Sequence, residues 1–353
     1  MTIEWLAGNR IRGTTAERPN LSLPSAGGWV ELGRTTLSSQ GDTISVSSLP
    51  DKRYYMILGD TRPTGSAVAD VNLNGDNGYN YSETDSLNGA SDTQASNTDR
   101  MAPMYNASAV NRRFHVGYIA SKSGKEKLGI FHTNENPLAG SNYIPNRKDN
   151  AGKWSNTSDA IHTISIDNDF SGDLYNESQL VVLGWDPTDT HTTNFWEELA
   201  SVNASGSSTI LDSGTFTAKK YLMVQIYLEA ASDLTTQLVT YNNDASALYS
   251  QTSVRNGTAV NNASINHANL NVTGGTNQKA IFYSGFILNK STTENLAIFS
   301  AVGQNTAGAG TIPVRLQQVH KYATNTQITS IKISQDNSVN FGTNSIIKVW
   351  GAD

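Results

Sequence analysis

The chain has 353 residues, a net charge of −6, and 16% charged against 37% hydrophobic residues. It contains no cysteine, which excludes disulfides, thiolate metal sites and thiol nucleophiles. An acidic balance without a basic face argues against a nucleic-acid partner. The 36 Asn and 74 Ser plus Thr fill the surface role usually held by Lys and Glu, which suits many turns between short strands.

Residues 1–28 read as an irregular arm. Arg10, Arg12 and Arg18 stand against Glu4 and Glu17, followed by Pro19, Pro24 and Gly27-Gly28. Trp5 and Leu6 are apolar and need cover from this chain or a neighbour. Trp5, Leu6, Arg10 and Arg12 are therefore candidate assembly contacts. The opening Met1-Thr2-Ile3-Glu4 lacks a basic stretch and a following apolar run, so no secretory signal is expected. No segment approaches 18 apolar residues, so no membrane partner is expected.

From Trp29 onward the chain says the same thing twice. Residues 114–131 and 282–299 are identical at nine of eighteen positions, at an offset of 168. Lys52 to Leu58 faces Lys219 to Gln225, and Ile144-Pro145-Asn146-Arg147 faces Ile312-Pro313-Val314-Arg315. That period is the length of a whole domain, far beyond a solenoid or propeller unit. Repeat one spans 29–185, a linker rich in Pro, Thr and Asp spans 186–194, and repeat two spans 195–353.

Within each repeat the hydrophobic period is two. Thr43 to Ser47 and Ile161 to Ile166 alternate, as does Ile328 to Ile333. Tyr54 to Leu58, Phe114 to Ile119, Leu128 to Phe131 and Leu180 to Leu183 add short β-rich runs. Turn signals separate them at Gly41-Asp42, Gly75-Asp76, Asn88-Gly89, Asn256-Gly257 and Gly274-Gly275. This predicts an all-β chain with eight or nine strands per repeat: two tandem antiparallel β-sandwich domains, jelly-roll-like, from an internal duplication. An immunoglobulin-like winding stays open.

Few motifs carry chemistry. Asp70, Asn72, Asn74 and Asp76 match the first half of a calcium loop, with oxygen ligands at alternate positions. Tyr81 stands where the bidentate Glu belongs, so turn-capping by Asp76 is the plainer explanation, and Asp244 shares its slot. Ten Asn-x-Ser/Thr sequons are close to what composition alone produces. The six histidines are scattered, with no pair at metal-ligand spacing. Glu197 and Glu198 are adjacent, so on a strand they point to opposite faces and form no acid/base pair.

The repeats share Trp29/Trp196, Tyr54/Tyr221, Phe114/Phe282, Gly117/Gly285, Leu128/Leu296, Ile130/Ile298 and Phe131/Phe299, which read as core and turn residues. Glu126/Glu294 and Arg147/Arg315 are the shared charges, expected as ion pairs within each domain. Trp154 faces Tyr322, so an aromatic is kept there as a candidate glycan platform. Packing over the sandwich is the competing explanation.

The segments TIEWLAGNRIRG, WVELGRTTL, GDTISVSS, GKWSNTS and LVVLGWDP resemble a family of marine viral, phage-like proteins without an established activity. The likeness covers almost the whole chain and implies a virion context. Two jelly-roll-sized domains in tandem are also similar in architecture to double-jelly-roll coat proteins. The expectation is a non-enzymatic virion structural protein: a coat, head-decoration or tail-associated subunit, made in the host cytoplasm, needing no cofactor and acting by self-assembly with other virion proteins. A trimer of such chains would present six similar domains in a ring. The alternative is a glycan- or receptor-binding module.

Overall fold

The computed structural model describes residues 28–64, 69–102, 112–168, 171–189, 193–234, 236–270, 278–304, 309–336 and 338–353. Repeat one contains β1 (Val30–Thr36), β2 (Thr43–Ser47), β3 (Tyr54–Thr61), β4 (Ala69–Leu73), β5 (Tyr81–Leu87), β6 (Thr93–Thr98), β7 (Arg112–Ala120), β8 (Lys127–Asn136), β9 (Asn146–Trp154), β10 (Thr163–Asn168) and β11 (Gln179–Trp185). Repeat two contains β12 (Glu197–Asn203), β13 (Ile210–Asp212), β14 (Tyr221–Leu234), β15 (Gln237–Tyr241), β16 (Tyr249–Arg255), β17 (Thr258–Ile265), β18 (Ala268–Asn269), β19 (Gln278–Leu288), β20 (Asn295–Gln304), β21 (Val314–Tyr322), β22 (Ile331–Gln335) and β23 (Ile346–Ala352). The polar strands escape the sequence pattern. Thr93–Thr98 and Thr258–Ile265 are mostly exposed edge strands, so neither needs an apolar face.

Each repeat is a β-sandwich of unequal sheets, and apart from the short extra strand β18 the two windings correspond strand for strand. An eight-stranded sheet runs β1-β11-β3-β7-β8-β9-β5-β6 in repeat one and β12-β23-β14-β19-β20-β21-β16-β17 in repeat two. The smaller sheets are β2-β10-β4 and β13-β22-β15-β18. Strands β1 to β5 alternate between large and small sheet. The returning chain then places β11 between β1 and β3, and β10 between β2 and β4. This interleaving is jelly-roll winding. An immunoglobulin-like chain instead begins with two consecutive strands, A and B, in one sheet.

Three cores give four layers of sheet. Ile44, Val46, Val71 and Ile164 of the first small sheet pack on Tyr55, Ile57, Leu180 and Val182 of the first large sheet. Leu211, Val239 and Ile333 pack on Leu222, Val224 and Ile226 in the same way. The third core lies between the two large sheets. It holds Met56, Leu58, Phe114, Val116, Val181 and Leu183 against Trp196, Tyr221, Leu288, Leu296, Ile298 and Val319. A strand buried on both faces has no reason to alternate. That is why Leu180-Val181-Val182-Leu183 is continuously apolar, while Thr43–Ser47 on an outer layer alternates exposed and buried.

One cross-strand pair explains two of the shared positions. Gly117 on β7 lies directly opposite Phe131 on β8, and Gly285 on β19 opposite Phe299 on β20. In each case the ring lies over the glycine. A Cβ at Gly117 would stand 2.4 Å from Phe131 Cδ1, and one at Gly285 would stand 2.5 Å from Phe299 Cδ1. No side chain fits without moving the ring. Gly285→Ala is expected to cost about 1–3 kcal/mol in urea unfolding. Combining it with Phe299→Leu should recover part of that loss, because the smaller side chain vacates the contact. A fully additive double mutant would disprove the pairing.

Candidate assembly site

The residues singled out by sequence pattern fall into two groups. Trp5, Leu6, Arg10 and Arg12 lie outside the described residues. The calcium and glycan candidates meet in one structural device. Asn74 and Gly75 both adopt positive φ, at 59° and 69°, in a tight turn closed by Asp76 N–H on the Leu73 carbonyl at 3.1 Å. The Asp76 carboxylate accepts the Trp154 indole N–H at 2.6 Å, the Gly78 backbone N–H at 2.9 Å and the Asn80 amide at 3.0 Å. Asn74 accepts from the backbone of His162 and Thr163, and the Asn72 amide donates to the Asp76 carbonyl at 2.9 Å. Asp70 is buried in strand β4. Among the described residues no three His, Asp or Glu side chains gather to hold a metal. Of the calcium pattern, the oxygens of Asn74 and Asp76 brace this turn, and Asn72 supports it through its amide nitrogen.

Trp154 and Tyr322 are only 1% and 2% exposed, so neither offers a ring face to a sugar. The glycan platform is corrected on that ground. Trp154 stacks on Tyr81 at 6.2 Å, and its counterpart Tyr322 stacks on Tyr249 at 4.9 Å and donates its hydroxyl to Asp244 at 2.7 Å. Asp244 caps the same kind of turn, with Asn242 and Asn243 at φ 54° and 56°. The aromatic slot survives in both repeats because it locks strand β9 or β21 to the turn after β4 or β15.

The contact between the two large sheets is the largest feature the sequence did not show. At one end it is aromatic: Trp29 lies 6.1 Å from Tyr118, Tyr118 lies 6.4 Å from Phe286, and Phe286 lies 6.0 Å from Trp196. Phe195 N–H donates to the Trp29 carbonyl at 2.7 Å where the linker enters repeat two. At the other end it is polar. Asp60 is fully buried beside Arg112, with Lys290 at 3.1 Å and Lys220 at 3.3 Å. Burial alone would raise its pKa, but Arg112, Lys290 and Lys220 together hold the carboxyl below its ordinary value. Burial in turn lowers Lys220 to about 8, against the pull of Asp60. The Asn134 amide donates to the carbonyls of Ala297 at 2.8 Å and His320 at 2.9 Å. Lys321, buried, donates to Asn136 at 2.9 Å and the Leu138 carbonyl at 2.7 Å, and pairs with Glu294 at 3.3 Å.

The shared charges thus serve different ends. In repeat one Glu126 pairs with Lys153 at 3.0 Å on the surface. The equivalent pair, Glu294 and Lys321, is drawn into the contact by Asn136 and the backbone N–H of Gly140. Arg147 is buried, pairs with Asp149 and reaches Gln317 of the other repeat at 3.3 Å, whereas Arg315 is exposed.

The contact is one-sided. Strand pairing aligns Gln179, Asp60, Phe114 and Asn134 in one row across the first large sheet. It aligns Tyr221, Leu288 and Leu296 with Lys321 in one row across the second. These rows meet: Phe114 lies 6.3 Å from Tyr221, and the Tyr221 hydroxyl donates to Gln179 at 2.9 Å. The repeat equivalents of both rows remain at the surface. Leu128 and Ile130, which correspond to buried Leu296 and Ile298, are 56% and 55% exposed. Tyr227, Phe282 and Val302, which correspond to buried Asp60, Phe114 and Asn134, are 36%, 42% and 44% exposed.

No protein-family model matches the chain, and no curated protein does. Among solved structures it is similar to domains LG4-5 of the mouse laminin alpha1 chain, at 8% identity over 93% of this chain and 92% of that one, with a TM-score of 0.19. The attachment invasion locus protein Ail of Yersinia pestis matches at 4% identity over 81% and 99%, with a TM-score of 0.10. The outer membrane protein OprG of Pseudomonas aeruginosa matches at 8% identity over 86% and 98%, with a TM-score of 0.11.

Two measurements check this geometry. Asp60→Ala leaves three cations without their shared carboxylate and should cost roughly 3 kcal/mol, because one partner of a buried ionic group has been removed. Chemical unfolding should then lose its single transition as the repeats uncouple, and an unchanged midpoint would refute the assignment. The second measurement concerns the turns. The Asp76 pKa is raised by burial but lowered overall by Trp154, Asn80 and Gly78, and that of Asp244 is lowered by Tyr322 and Ser246. A carboxyl with a depressed folded pKa contributes stability that is complete above its unfolded value, about 3.9, and is lost as pH falls through the folded one. Stability should therefore fall on acidification below about pH 4. Asp244→Asn should be less stable at neutral pH and show a shallower fall, followed by urea midpoints at pH 7 and pH 3.

Proposed function

We propose that this chain is a non-enzymatic structural subunit of a virion — coat, head-decoration or tail-associated — that works by assembling with copies of itself and with other virion proteins. The virion context rests on the sequence-wide likeness to marine viral proteins. The assembly role rests chiefly on one observation: on each repeat, apolar sheet residues whose repeat equivalents are buried against a partner sheet stand exposed.

Other features agree with a body built for contacts. Arg113 pairs with Glu135 inside the first sandwich at 2.9 Å. His115 lies between Thr61 at 2.9 Å and Thr133 at 3.0 Å, and burial keeps its pKa far below the ordinary value. In repeat two Ile281 and Tyr283 occupy the places of Arg113 and His115, and all four are buried. These polar groups are tied up in packing rather than presented at a surface. No helix among the described residues is long and apolar enough to cross a membrane.

Purified particles provide the test. The protein should be a stoichiometric component of the virion by mass spectrometry, and electron microscopy of the isolated chain should show defined assemblies. Its absence from particles, together with a strict monomer in solution, would remove this function.

A further inference from the structure

We infer that the chain associates head to tail, with the exposed Tyr227–Phe282–Val302 face of one copy receiving the exposed Leu128–Ile130 face of the next. This deepens the assembly reading above and rests on it. The partner is a second copy because the chain already contains the same contact once. Within one molecule, the Asp60–Phe114–Asn134 row of repeat one is covered by the row of repeat two that contains Tyr221 and Leu296. The duplication supplies each sheet with both rows, so one row of each kind is left over: Tyr227–Phe282–Val302 on repeat two and Tyr54–Leu128 on repeat one.

The substitutions at the free rows favour this pairing. Asp60 and Asn134 are replaced by Tyr227 and Val302, so this row of the receiving face is more apolar than its buried counterpart, while Gln225 and Ser284 replace Leu58 and Val116 beside it. Apolar area left in water is a driving force for association. Lys220 and Lys290, which surround Asp60, correspond to Arg53 and Lys122 on the donating face. There the Tyr227 ring takes the place of the carboxylate, and an aromatic face attracts such cations. Val302 and Phe282 line one side of a groove with Ile312, which is 87% exposed and offers further apolar surface. A contact that joins two different faces is heterologous, so it propagates from copy to copy. It closes into a ring if the rotation per step divides a full turn, and otherwise forms a filament.

The experiment compares the full-length chain with Phe282→Glu and Leu128→Glu by sedimentation over a range of concentrations. Both positions are exposed, and circular dichroism of each variant should match the parent. Val302→Asp and Ile130→Asp serve as a second pair if either variant misfolds. The parent should form assemblies larger than a dimer. Each single variant should weaken association by roughly 30-fold or more, the effect of losing one hot spot of about 2 kcal/mol. A mixture of the two should recover a one-to-one dimer, because each retains the face the other lacks. If the parent assembles but the variants assemble equally well, or if the mixture does not pair, this surface is wrong while self-assembly stands. If the parent remains monomeric throughout, both the surface and the assembly reading fail.

Discussion

Everything in this molecule depends on burying the outer faces of two eight-stranded sheets against each other. A sandwich normally hides one face of each sheet and leaves the other to water. Here Met56, Leu58, Phe114, Val116, Val181 and Leu183 make the second face apolar too, and the other repeat covers it. That burial converts two sandwiches into a stack of four layers. It also brings Asp60, Asn134, Asn136 and Lys321 out of water, where each carries hydrogen bonds or ion pairs across the junction. A buried polar group without partners is costly, so these side chains select one register of sheet on sheet.

Duplication explains the fold and divergence explains the junction. Positions that shape a single sandwich keep their chemistry: Gly117 under Phe131 and Gly285 under Phe299, or Trp154 and Tyr322 bound to the turn carboxylates Asp76 and Asp244. Positions on the outer face have parted. Tyr227 stands where repeat one has Asp60. Lys153 stays at the surface with Glu126, while Lys321 is buried with Glu294. When two copies of one body meet through different faces, the equivalent of each face is left free, and the exposed apolar residues lie on those free faces.

Much of this was legible before any coordinates. Alternation in Thr43 to Ser47 and Ile161 to Ile166 marked short strands, and the shared pairs Gly117/Gly285 and Phe131/Phe299 marked a common core, whereas Leu128, Ile130 and Phe282, also read as core, are exposed. The edge strands Thr93–Thr98 and Thr258–Ile265 were not legible, because an exposed strand carries no hydrophobic period. Trp154 was a candidate for a glycan because an aromatic is kept at that position in both repeats. Its burial depends on Tyr81 and Asp76, which reach it only through strand pairing and a turn 78 residues away. The continuous run Leu180 to Leu183 carried the one hint of a second buried face, since a strand with water on one side should alternate.

The amino-acid sequence by itself determined the β class, the duplication and the residues each sandwich holds in common, because these follow from local periodicity and from comparing the chain with itself. Only the tertiary structure decided which outer-face residues are buried and which remain free. That choice depends on how two sheets meet through residues about 160 to 230 positions apart, such as Asn134 with Ala297 and Asp60 with Lys290. Neither partner's own neighbours in the chain reveal whether the other is there.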